Sequence, residues 1–171
     1  RSLLSMYLVT IIVITAYFTG YGYIEPFFQQ VAGLPDDAIT FALVLFGAAG
    51  LVGSLLFARL GNVTLATFIR FACAGIAAAL LLMAFAATGG EVSSCLVCVL
   101  WGLAASLFNV SFNAAVIKCA PEGASSVAMS MYSGLYNLGI GTGTWLGGMV
   151  TANVGIGLIG YVGGVLALVG L

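Results

Sequence analysis

The sequence predicts an all-α integral membrane protein, with six transmembrane helices arranged as a 3+3 inverted repeat. Three observations carry that expectation. Of 171 residues, 63% are hydrophobic and 5% are charged, whereas a soluble domain carries roughly 25% charged residues. With a mean hydropathy of +1.23, the chain has no means of covering itself with a water-facing surface. Polar punctuation then divides it into six apolar stretches, each close to the roughly 20 residues that a bilayer-spanning helix needs.

The first stretch runs over about 2–28, and Pro26 disfavours helix at Glu25 and helps to end it. "GLPDD" follows, with Asp36 placed to cap a second helix over 37–58. "RLGN" is a tight turn, and Asn62 is the expected cap of a third span over 62–87. "TGGE" leads into a fourth span over 92–118. "KCAPEG" turns the chain again, with Pro121 suited to a first helical position and a fifth span over 123–151. "NVG" opens a sixth over 154–171. The whole of 1–171 reads as one bundle, and its ends, Arg1 without an initiator Met and Leu171 inside an apolar run, read as those of a piece of a larger membrane protein.

The helices fall into two triplets. Each opens on a polar-aromatic helix (Tyr17 and Tyr21; Asn109 and Asn113) and continues with a glycine-rich one (Gly47, Gly50, Gly53; Gly139, Gly143, Gly147). With an odd number of helices per copy, the second copy must run the opposite way through the membrane, as in the inverted repeats of secondary transporters. Arg1, Arg59 and Lys118 fall at turns or ends on one side, with Arg70 two turns into the third span from that side. Glu25, Asp36, Asp37 and Glu91 fall on the other. The positive-inside rule then places the Arg1, Arg59 and Lys118 turns in the cytoplasm.

Composition also excludes. A formal net charge of −1 offers no footprint for nucleic acid. The absence of histidine removes the commonest general base and transition-metal ligand, and with it a rhomboid-type protease. No Gly-Lys-Ser/Thr phosphate loop is present, and "FNVSFNAAV" has asparagines without the proline of an aquaporin repeat. "NLGIGTGTWLGGMV" (137–150) has a glycine cluster like a dinucleotide loop, but Thr144 stands where the third glycine belongs and no strand precedes it. Gly139, Gly143 and Gly147 instead form one small-xxx-small ridge for helix packing. No cofactor, no metal and no enzymatic chemistry is expected. Cys95 and Cys98 have the spacing of a redox pair, which keeps a membrane thiol oxidoreductase as a rival reading. The pair lies in an apolar helical run with no cation to lower a thiol pKa, so packing cysteines are the plainer account.

The polar residues inside spans are the candidate site. Asn109 and Asn113 lie one turn apart with Ser106 near the same stripe, and each either bonds a neighbouring helix or lines a polar cavity. Tyr17, Tyr21 and Glu25 rise along one face of the first span. Tyrosine near a membrane surface is often only interfacial, but Tyr17 lies deeper, and Glu25 faces either the cavity or the outer water. Tyr136 and Asn137 flank the glycine ridge. Arg70 either snorkels to the surface or pairs with a residue of another region.

"WGLAASLFNVSFNAAVIKCAPEGASSVAMSMYSGLYNLGIGTGTWLGG" (101–148) resembles the tenth and eleventh helices of a major facilitator superfamily transporter. It is most similar to the bacterial sugar-efflux branch, the arabinose and thiogalactoside exporters related to drug–proton antiporters. "YGYIEPFF" (21–28) resembles that branch's seventh helix. "SLLFARLGN" (54–62) resembles a degenerate copy of the loop motif Gly-x-Leu-x-Asp-Arg-x-Gly-Arg. Arg59 and Gly61 match it, while Ser54, Ala58 and Asn62 depart from it. The resemblance implies the C-terminal half of a twelve-helix fold whose N-terminal half is absent. It implies a secondary active transporter of the bacterial inner membrane, exporting sugars or small drug-like solutes by alternating access with proton coupling. Substrate contacts would come from Tyr17, Tyr21, Glu25, Asn109, Asn113, Tyr136 and Asn137, with Arg59 and Gly61 shaping the cytoplasmic gate. The implied partners are the lipid bilayer, a small neutral solute, and either the missing half or a second copy associating through the same face. A non-transporting membrane scaffold is the alternative.

Overall fold

In an apolar solvent backbone N–H and C=O groups find no water, so a chain of this composition satisfies them within helices. The computed structural model describes residues 2–60 and 62–170, so Arg1, Gly61 and Leu171, named above, lie outside the described residues. The described chain forms α1 (Ser2–Tyr21), α2 (Ile24–Gln30), α3 (Asp36–Arg59), α4 (Leu65–Thr88), α5 (Gly90–Cys119), α6 (Ser125–Asn153), a 3-10 turn (Ile156–Leu158) and α7 (Ile159–Val169). Among the described residues there is no strand.

Four segments are long and apolar enough to cross a membrane: Leu3–Gln30, Asp36–Arg59, Leu65–Thr88 and Gly90–Cys119. At 24 residues, α3 and α4 reach about 36 Å, against a hydrocarbon core of about 30 Å. The other two expected spans differ from these four. α6 is long enough at 29 residues, but serine, threonine, asparagine and glycine fill much of it. The last stretch, Ile156–Val169, is apolar but short.

Several helix boundaries also depart from the sequence expectation. The first span breaks at Gly22–Tyr23, and Glu25 and Pro26 are both helical in α2. A proline cannot bond the carbonyl four residues back and its ring clashes with it, so Pro26 interrupts the helix at Gly22 rather than at itself. Asp36 is the first residue of α3 and not its cap; Pro35 holds that place and makes no side-chain cap bond. Asn62 does not cap α4 either. Thr64 does, its hydroxyl accepting from the Thr67 N–H at 3.3 Å. Pro121 lies in a turn closed by its own carbonyl and the Ala124 N–H, so α6 begins only at Ser125. Gly90 makes the sharp α4–α5 turn with φ of 74°, a conformation glycine adopts at no steric cost.

Helix pairing follows the small residues. α6 lies along α1: a Cβ at Gly139 would come within 2.8 Å of Ile14, and one at Gly147 within 2.7 Å of the Thr19 carbonyl, with one at Gly143 closer still to the Thr15 carbonyl. Residue numbers rise together, so α1 and α6 run parallel. α3 lies along α5 in the same manner, Gly53 against Leu103 and Gly102 against Phe46. Each interface holds a half-buried hydroxyl pair, Thr15 with Thr142 at 2.8 Å and Ser54 with Ser106 at 2.7 Å. The Tyr7 hydroxyl donates to the Ala128 carbonyl at 2.9 Å, adding a further tie between α1 and α6. α4 packs on α5 and α7, and α7 packs on α1. Gly160 rests on Leu80 and Met83 while Gly170 lies near Arg70, so α4 and α7 are antiparallel.

Between these helices lies a core that includes Ile14, Phe27, Phe28, Ile76, Leu80, Met83, Trp101, Phe108 and Phe112, all nearly inaccessible. The outer surface is apolar as well: Phe85 is 72% exposed and Leu51 70%. In water such a surface is an aggregation hazard; against acyl chains it is the favourable one. Acids occupy the first turns of α3 and α5 (Asp36, Asp37, Glu91) and cations their last turns (Arg59, Lys118). That complements both helix dipoles, and because α3 and α5 run parallel it puts these acids at one end of the bundle and these cations at the other.

The close approach at Gly143 yields a test. Gly143→Ala pushes α6 from α1 and is expected to destabilise the bundle by about 1–3 kcal/mol, the usual cost of overpacking. Gly141, with nothing within 4 Å of an added Cβ, tolerates alanine without loss. Thermal melts of the two variants in detergent check the difference, and equal melting points would contradict the packing.

Candidate functional site

α5 and α6 touch over only a short stretch, and beside that contact they leave an open cavity of about 200 Å³. Its walls are Asn109 and Asn113 from α5 and Tyr132, Ser133, Tyr136 and Asn137 from α6. Helical spacing of three or four residues brings each set to one face. No lining side chain carries a charge, and each contains a hydroxyl or an amide.

The amides are oriented by their own helices. The Asn113 Nδ2 donates to the Asn109 backbone carbonyl at 2.7 Å and to the Asn109 Oδ1 at 2.9 Å. The Asn137 Nδ2 donates to the Ser133 carbonyl at 2.9 Å. With both of its amide donors engaged on its own helix, Asn113 presents a carbonyl oxygen as an acceptor, while Asn137, with one donor bound back, presents a carbonyl oxygen and a second N–H. The Asn109 amide sits beside the Tyr136 hydroxyl, one from each wall. Tyr132 is 3% exposed; its ring stands 5.9 Å from that of Tyr136, edge to face. Its hydroxyl is buried without a hydrogen-bond partner among the described residues. The cavity therefore offers acceptors, a hydroxyl pair and aromatic edges, which is the chemistry of a neutral, hydroxyl-bearing solute.

The other sequence candidates are distributed around it. Tyr17 is buried behind the cavity, a near neighbour of Tyr136. It stacks on Tyr21 at 5.1 Å and meets the edge of Trp101 at 5.5 Å. Tyr21 is half-buried and leans on Phe46 at 5.3 Å. Glu25 is exposed on α2 and does not line this cavity. Arg59 is exposed at the end of α3. Gly139, Gly143 and Gly147 are buried on the α1-facing side of α6. Cys95 and Cys98 are free thiols one turn apart, with Cys98 fully buried. Among the described residues no group of histidine, cysteine or acid side chains is arranged to hold a metal.

Sequence reasoning passed over Tyr132, Ser133, Phe46 and Trp101. The first two were within reach, standing four residues before Tyr136 and Asn137. Trp101 had a weaker signal, a lone indole in mid-span whose N–H needs a partner; it is fully buried and its Nε1 has none among the described residues. Phe46 had no signal at all. No protein-family model matches the chain.

Because the Tyr132 hydroxyl is buried and unpartnered, replacing it by an isosteric apolar ring is close to neutral or stabilising. Tyr132→Phe is expected to leave the melting temperature in detergent unchanged or raised, and a clear fall would reveal a partner for that hydroxyl.

Proposed function

We propose that this chain is the C-terminal six-helix half of a major facilitator-type secondary transporter, exporting sugars or small neutral drug-like solutes across the bacterial inner membrane by alternating access. The observation that carries the reading is the uncharged polar cavity of Asn109, Asn113, Tyr132, Ser133, Tyr136 and Asn137, set in an otherwise apolar bundle. Polar side chains are costly at membrane depth unless bonded to a neighbour or lining a wet pathway.

The helix pairing supports a 3+3 inverted repeat. Exchanging α1 with α5, α3 with α6 and α4 with α7 maps the most extensive pairings onto one another, α3–α5 onto α1–α6 and α4–α5 onto α1–α7, with α4–α7 onto itself. The same exchange matches the hydroxyl pair Thr15–Thr142 with Ser106–Ser54. On this reading α6 crosses the membrane despite its polar content because one face forms the cavity wall and another lies on α1. The end bearing Arg59 and Lys118 faces the cytoplasm by the positive-inside rule. Substrate binds near the midplane against a second six-helix half. Proton coupling needs a titratable group in the pathway. Glu25 is exposed at the acidic end, so the coupling group belongs to the other half.

Full-length protein reconstituted in vesicles tests the proposal by counterflow of labelled pentose and galactoside under an imposed proton gradient. Asn113→Ala with Asn137→Ala removes two acceptors and is expected to slow transport by about tenfold, the worth of roughly one hydrogen bond in the transported state. Replacing Cys95 and Cys98 by alanine is expected to leave transport intact. Solute movement that never exceeds that of empty vesicles would favour a scaffold, and loss of activity only in the cysteine variant would favour thiol chemistry.

A further inference from the structure

Arg70 lies two turns into α4 from the end that carries Arg59 and Lys118, at a depth of about 8–9 Å for six residues past the Thr64 cap. It is exposed, and no acidic side chain pairs with it among the described residues: Asp36, Asp37, Glu25 and Glu91 sit at the far end, and Glu122, in the turn after α5 at the same end as Arg70, lines neither hollow beside it. Two hollows share Arg70 as a lining residue. One, of about 220 Å³, is set among α1, α4 and the end of α7 and is lined by Ser5, Met6, Ile69, Cys73 and Gly170 together with Arg70. The other, of about 430 Å³, runs along the outer stripe Thr67, Arg70, Phe71 and Ala74. Phe71 is 70% exposed on that stripe.

We propose that Arg70 holds the phosphate of an anionic phospholipid, with an acyl chain lying along the Phe71–Ala74 stripe and the headgroup entering the hollow beside Ser5. The inference rests on the bundle lying in a bilayer, but on neither transport nor a second half. Charge complementarity commits the occupant. From that depth the long arginine side chain snorkels outward to the level of the lipid phosphates, where an unpaired guanidinium gains charge-assisted hydrogen bonds from one, and basic pockets between helices on the cytoplasmic side suit acidic headgroups. The flanking surface is apolar, which suits acyl chains.

Purified full-length protein in mild detergent, titrated with dioleoyl phosphatidylglycerol or dioleoyl phosphatidylcholine and read by native mass spectrometry, tests this. Phosphatidylglycerol is expected to be retained preferentially. Arg70→Gln weakens that retention by about tenfold, the loss of one charged hydrogen-bonded contact, while Arg70→Lys keeps most of it and Lys118→Gln all of it. Ala66→Glu provides an independent variant with Arg70 in place: the new carboxylate, one turn before the arginine, pairs with it and displaces the lipid. Equal retention of the two lipids, or undiminished phosphatidylglycerol in both Arg70→Gln and Ala66→Glu, overturns the proposal. So does a phosphatidylglycerol-induced rise in melting temperature that is the same for wild type and Arg70→Gln. In that case Arg70 serves a protein partner.

Discussion

The architecture depends on how closely two pairs of backbones approach. In lipid no hydrophobic gain comes from bringing helices together, because acyl chains are as apolar as leucine, so packing area and interhelical hydrogen bonds must hold the bundle. Gly139, Gly143 and Gly147 let α6 lie against α1, and Gly53 and Gly102 do the same for α3 and α5. At that distance short hydroxyls reach across, which is why threonine meets threonine in one interface and serine meets serine in the other. The side chains of α4 and α7 then fill the space behind both pairs.

The polar character of α6 follows from the same constraint. One face is reduced to glycine for contact with α1, and the neighbouring face carries Ser133, Tyr136 and Asn137 toward α5. Little of the helix is left for large apolar side chains, which is why it reads as less hydrophobic than the four clear spans. Its amides bond to their own helix backbone, lowering the cost of their position while leaving acceptor oxygens outward.

Much of this was legible in the sequence, because composition and turn residues act locally. The helices fall within a few residues of the expected boundaries, and "RLGN", "TGGE" and "KCAPEG" are turns. The errors arose where one local rule competed with another. Asp36, Asn62 and Pro121 are all good helix-start residues, but a start signal does not say which of several adjacent candidates the backbone will use. Pro26 was read by its effect on the preceding residue, whereas its larger effect falls on the carbonyl four residues back. Within the cavity, Asn109 and Asn113 stood out because amides are rare in spans. Tyr132 and Trp101 resemble ordinary core residues until tertiary packing shows their polar atoms without partners.

The bundle is unevenly stiff, and the cavity sits where it is weakest. α1 is tied to α6 by the glycine ridge, by Thr15 with Thr142 and by Tyr7; α3 is tied to α5 by its own glycines and Ser54 with Ser106. Between these two pairs, α5 and α6 meet over a short stretch, with the Asn109 amide beside the Tyr136 hydroxyl, whereas α4 and α7 join the pairs behind. Two stiff units hinged at the back and lightly latched in front separate at the latch first, since that is where the fewest contacts are lost. The latch is made of uncharged hydrogen-bonding groups that exchange readily between one another, water and a hydroxyl-bearing solute. On the transport reading proposed above, a hydroxyl-bearing solute bound between Asn109 and Tyr136 changes what holds the two helix pairs together along that seam.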